Sequence, residues 1–306
     1  MSAIDVTGQG EELRGRVLIL SAGVIWSLGS LFIRLIDQAT VWQIVGWRGM
    51  FLAIFLLGYI AWKRRDNNSG LTGAFREAGI TGIFGGLALS GAFISFVFAI
   101  SFTSAAQALL MLAMAPFLAA LLGRVILKEN PRRATWVCMS IAAIGVLYMV
   151  RDGVMEGTYL GALFGFLSAV SFAIYTVILR WGRARDMTPS VCMGGIITAI
   201  TGFTVLALNG DSFQIPARDI MLCAAMGFIH LGLGLIVFTM GSKYVPAAEL
   251  PLLTLTEVVF GPIWVWIAVN EVPSDSTLIG GAVLLAALIG NALSGIRRKH
   301  PPMGVV

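Results

Sequence analysis

The sequence predicts an all-α polytopic membrane protein, with ten transmembrane helices arranged as two inverted five-helix repeats. Three observations carry this. First, the 306 residues are 58% hydrophobic and only 12% charged, with a mean hydropathy of +0.88, whereas a soluble domain is typically about a quarter charged. Second, the chain divides into apolar segments of the length that spans a bilayer, about 20 residues at 1.5 Å rise. Third, one of those segments is written twice. Ser104 to Pro131, SAAQALLMLAMAPFLAALLGRVILKENP, returns as Pro246 to Pro273, PAAELPLLTLTEVVFGPIWVWIAVNEVP. Ser-Ala-Ala-Gln becomes Pro-Ala-Ala-Glu, and Lys-Glu-Asn-Pro becomes Asn-Glu-Val-Pro at the same spacing.

In chain order, residues 1–15 read as a polar cytoplasmic tail, because MSAIDVTGQGEEL lacks the basic and short apolar regions of a cleaved signal. Spans follow at 16–36, 41–62, 79–101, 104–127 and 133–151, then at 158–180, 189–208, 219–241, 247–269 and 276–296, with a tail at 297–306. The first repeat is thus 16–151 and the second 158–296. Helices are required because lipid offers no partner for backbone N–H and C=O groups, and no segment alternates like a barrel strand. The glycines of GITGIFGGLALSG (Gly79, Gly82, Gly85, Gly86, Gly91) mark close helix contact in the third span. They are not a dinucleotide loop, since no strand precedes them. Cys138, Cys192 and Cys223, all inside apolar runs, are not a disulfide framework.

Lysine and arginine set the orientation. With the N-terminus inside, sixteen of them, from Arg14 and Arg16 to Lys299, collect on the cytoplasmic side, and only Arg34, Arg151 and Arg218 fall opposite. Both termini are therefore expected in the cytoplasm of a cell whose inner membrane the chain spans. The net charge of +5 is distributed over span ends and forms no nucleic-acid patch. The first and sixth spans also align, Arg180 on Arg34 and Phe172 on Trp26, and Phe102 falls on Tyr244 before the fourth and ninth. A five-helix unit is odd, so its second copy must enter the membrane from the other side. That inversion is the architecture of alternating-access carriers, with the substrate at mid-membrane between the halves.

Ile94–Met149 and Ile236–Ser274 carry the most characteristic pattern of the EamA domain of the drug/metabolite transporter superfamily, which the chain resembles from about Arg16 to Ile296. The resemblance implies a ten-helix carrier, many similar proteins exporting amino acids or other small metabolites. It also implies a Glu-Pro pair midway along the fourth and ninth helices. This chain divides that pair: Ala115-Pro116 keeps the proline and Glu257-Val258 the acid.

Glu257 is the first candidate site residue, since an ionised carboxylate at bilayer depth is costly and marks function. Glu249, Thr256, Glu257, Phe260 and Trp264 share one helix face, which suits a site for a cationic group or a proton. The alternative is a protonated acid tying helices together. Glu249 lies near the cytoplasmic mouth, where it also reads as an interfacial acid. His230 sits halfway along the eighth span between Gly227 and Gly234. It reads either as a proton relay or as a histidine bonded to a carbonyl where helices approach closely. Arg48, in GWRGMF, either snorkels to the interface, pairs with an acid, or holds a substrate carboxylate. Arg124 reads as a snorkelling residue. Trp26 and Ser30 of the first span, and Tyr175 of its repeat mate, lie near mid-depth and suit a lining for an amphipathic small molecule, or plain packing. Gln107 and Asn291 are lesser polar candidates.

No cofactor and no metal are expected, because the two histidines, His230 and His300, come with no ligand spacing. The expected partners are a small-molecule substrate, protons and the lipid bilayer, with no nucleic acid, in a monomer or homodimer. The leading expectation is a secondary transporter exporting an amino acid, amine or drug-like molecule. An uncoupled facilitator or channel is the alternative, although no ring of like charge or carbonyl filter is evident. An intramembrane enzyme lacks any catalytic constellation.

Overall fold

The structure is a computed structural model that describes residues 3–65, 70–128, 130–156, 159–181, 186, 188–245 and 249–296. Among the described residues every regular element is helical. The first half comprises α1 (Ala3–Arg34), α2 (Val41–Lys63), α3 (Gly70–Phe102), the pair α4 (Ala105–Leu112) and α5 (Ala115–Ile126), and α6 (Arg133–Glu156). The second comprises α7 (Tyr159–Trp181), α8 (Thr188–Asn209), α9 (Ala217–Ala225), a π-helical segment Met226–Leu233, α10 (Gly234–Gly241), α11 (Leu250–Val269) and α12 (Asp275–Ile296). Nine described segments have the length and composition to cross a membrane, and α11 adds a shorter apolar stretch, Thr256–Val269.

Two boundaries differ from the expected ones for local reasons. The polar tail is helical from Ala3, and Glu12 bonds Arg16 one turn on, at 2.6 Å, a favourable i,i+4 pair. The third helix starts at Gly70, and the expected start at Gly79 is instead a kink, with φ at 55°, which glycine alone adopts without steric cost.

The halves interleave reciprocally. α2 packs along α8 and α6 along α12, each beside its own repeat mate. α3 packs along α7 while α1 packs along α10, and α1 meets α11 while α7 meets α4 and α5. Such exchange of contacts is what a two-fold relation between halves produces. Two glycines make it visible at atomic level. A side chain on Gly15 would strike Tyr244 and Val245, and one on Gly161 would strike Phe102 and Thr103. Ile80, Val125, Leu147 and Leu208 stand exposed on the outside of the bundle, as lipid-facing residues do.

Both membrane faces are laced by polar contacts. On the amino-terminal face Arg16 pairs with Glu249 at 3.1 Å and Lys63 with Asp186 at 3.0 Å. Burial works against the Asp186 carboxylate, but hydrogen bonds from Thr188 and Lys63 outweigh it and hold the pKa below its ordinary value. On the opposite face, buried Asp219 accepts the backbone N–H groups of Gln38 and Ala39 at 3.1 and 2.9 Å. Gln43 donates to the Ser212 carbonyl at 2.7 Å and Trp47 to the Phe213 carbonyl at 3.0 Å.

Candidate functional site

The seam between α1 and α11 brings residues of both halves together. Small residues permit the approach: Gly23 of α1 faces Thr256, and Gly261 of α11 faces Leu109 and Ser30. Across the seam Trp264 Nε1 donates to Ser27 Oγ at 2.9 Å, and Trp264 stacks on Phe260 with centroids 5.8 Å apart. Ser30 Oγ donates to the Ser27 carbonyl at 3.4 Å, within its own helix. Glu257, half-buried, lies one turn before Gly261. It makes no hydrogen bond or ion pair among the described residues, unlike every acid named above.

Opposite Glu257 the fourth helix is broken. α4 ends at Leu112 and α5 begins at Ala115, because Pro116 has no N–H to give the Leu112 carbonyl and its ring crowds that turn. The Met114 carbonyl takes the N–H groups of both Phe117 and Leu118, at 3.0 and 3.1 Å, to restart the helix. α4 and α11 run antiparallel, and Leu109 meets Gly261. Four residues along each helix, the same rise puts the break level with Glu257.

His230 occupies the π-helical segment, a distortion that recurs at functional sites because it re-aims side chains. It is buried, and its ring fills the space where Gly29 of α1 has no side chain. Nδ1 has no hydrogen-bond partner among the described residues. The Trp26 ring lies 5.3 Å from that of Phe238 and closes over Gly234.

Arg48 does not snorkel, and it forms no ion pair among the described residues. It is 1% exposed, with its guanidinium 5.3 Å from the Phe93 ring centroid and 5.9 Å from that of Phe96. Nε and Nη1 have no hydrogen-bond partner among the described residues. α2 turns this position inward against α3, away from the interface. Arg124, by contrast, is exposed and lies over Trp136 at 5.6 Å.

Other candidates stand apart from this group. Glu249 is the partner of Arg16 on the amino-terminal face. Tyr175 is buried with Leu52, Leu56 and Leu89 between α2, α3 and α7, its hydroxyl unpartnered among the described residues. Gln107 accepts the Thr103 hydroxyl, and Asn291 accepts that of Thr135 at 2.8 Å, joining α6 to α12. Among the described residues no group of three His, Cys, Asp or Glu side chains could hold a metal.

Sequence reasoning missed three features. The π-helical segment has no signal beyond its glycines. Asp219 reads as an ordinary first-turn acid. Arg34 pairs with Glu271 at 2.7 Å and donates to the Thr103 carbonyl at 2.7 Å, while Glu271 also accepts the Ala105 N–H at 2.7 Å. The repeat held a signal for this last cluster, since the Arg34–Arg180 and Glu129–Glu271 pairs both align; Glu129 lies outside the described residues.

Ten apolar helices, two interleaved halves and a polar seam between them define a membrane transporter. Residues 13–151 and 159–293 each match the EamA-like transporter family, and the chain belongs to it. It is 27% identical to the pseudopaline exporter CntI of Pseudomonas aeruginosa over 63% of this chain and 67% of that one. It is 24% identical to human solute carrier family 35 member G1 over 91% of this chain and 79% of that one. A solved structure titled only as a crystal structure of a protein shares the fold, with a TM-score of 0.65 at 17% identity, covering 94% of this chain and 99% of that one. The family and these named relatives are transporters, and the chain is a transporter rather than an enzyme.

Proposed function

We propose that this transporter carries a small metabolite outward across the inner membrane by alternating access, with Glu257 as the group that binds a proton in one half of the cycle. The observation that carries the reading is an acid at mid-helix, free of protein partners among the described residues, level with a break in the fourth helix of the other half. Interrupted helices at mid-membrane are where carriers form ion and substrate sites. Trp26, Ser30, Trp264 and His230 surround that level and would contact substrate, while Tyr175 and Glu249 stand further along the path. The units that rock would be 16–151 and 158–296, with both termini in the cytoplasm, in a monomer or a homodimer. The Pseudomonas relative is named an exporter, which supports the outward direction.

The test is flux into proteoliposomes of a ligand first selected by thermal shift from amino acids, amines and organic acids. Glu257→Gln keeps the shape and removes the titration, so gradient-driven flux is expected to fall to background while the protein remains inserted and folded. Wild-type flux from this variant at several pH values would overturn the role of Glu257.

A further inference from the structure

We propose that Arg48 is the anchor for a carboxylate of the transported molecule. The proposal rests on the carrier reading and names its substrate class.

Three observations lead to it. A guanidinium sequestered from solvent is retained only where an acceptor meets it, yet Arg48 Nε and Nη1 have none among the described residues. No acid among the described residues fills that role. Asp219, one turn from Cys223 on the facing helix α9, has its carboxylate occupied by the backbone of residues 37–39. Phe93 and Phe96 approach the guanidinium at 5.3 and 5.9 Å, a setting that supports the cation but offers no in-plane acceptor. What the fork still wants is a planar, two-oxygen anion, and a carboxylate matches it bidentately.

The fork fits a carboxylate and does not fit a simple amine, which Arg48 would repel.

Thermal shift of the detergent-purified protein tests this with acetate, lactate, alanine and malate, against lactamide, alaninamide and chloride at matched ionic strength. At least one carboxylate is expected to raise the melting temperature saturably, by about 3 °C or more, and its amide is not. Arg48→Lys keeps the charge and the fold but loses the fork, and is expected to weaken binding about tenfold or more; Arg48→Gln removes it. Amides as effective as acids, carboxylate binding by Arg48→Lys equal to wild type, or no carboxylate shift above chloride would each overturn the proposal. Carrier function is read separately by flux and by Glu257→Gln, so carboxylate binding can fail while transport of a neutral or cationic ligand stands.

Discussion

The fourth and ninth helices, α4–α5 and α11, are copies that have kept their ends and exchanged their middles. At the ends they agree closely. Lys128 and Asn270, at the same position of the repeat, have φ of 56° and 55°, and among the described residues they are the non-glycine positions with positive φ. Each helix is therefore stopped by the same left-handed residue. In the middle they part. Pro116 interrupts the fourth helix, whereas α11 stays helical through Pro262 and carries Glu257 where the fourth has Ala115. The repeat supplies the scaffold twice, with the mid-span acid in one copy and the helix break in the other.

The comparison is broken most directly by moving the acid. The double substitution Ala115→Glu with Glu257→Ala preserves composition and places the carboxylate on the broken helix. Flux in proteoliposomes is expected to stay at background, because the acid would then face an intact helix instead of an interrupted one. Recovery of flux would mean that the halves are interchangeable and that the break has no part in the site.

A smaller effect is expected at the far end of α11. Glu271 binds Arg34 and the Ala105 N–H at 2.7 Å each, so it ties the end of the ninth helix to the start of the fourth. Both ion-pair partners are largely sheltered, at 26% and 22% exposure. Glu271→Ala is expected to lower unfolding stability by about 2 kcal/mol, the sum of a charge-assisted hydrogen bond and a part-exposed pair. Differential scanning fluorimetry in detergent reads this as a lower melting temperature, and an unchanged one would remove Glu271 from the tie.

How much of this was legible before the structure follows from what kind of physics each feature uses. The ten spans and their repetition were readable because hydrophobicity and length are properties of the sequence itself. Glu257 was readable because a carboxylate at mid-span is costly anywhere in lipid. Arg48 was only half readable. Its depth was plain, but whether it points to lipid, to an acid or into the bundle depends on helix rotation, and α2 is apolar nearly all round. His230 was found, but not the π-helical turn that aims it, since π geometry is imposed by packing against Gly29 and Trp26 of another helix. Arg34 with Glu271 needed the two halves to be folded onto each other.

The finest difference between the two copies lies in the residues that end them. A left-handed backbone costs a side-chain-bearing residue about 1–2 kcal/mol, and asparagine tolerates it better than most because its short amide bonds locally. Lys128 has no such relief, so Lys128→Gly is expected to stabilise the protein by about 0.5–1 kcal/mol, and Asn270→Gly by less. Chemical denaturation of the two single variants measures the pair. A larger gain at Asn270 would mean that the ninth helix is held in its terminal turn under strain that Glu271 imposes. Equal gains would make the two ends alike in energy as well as shape, and would confine the divergence of the copies to Ala115, Pro116 and Glu257.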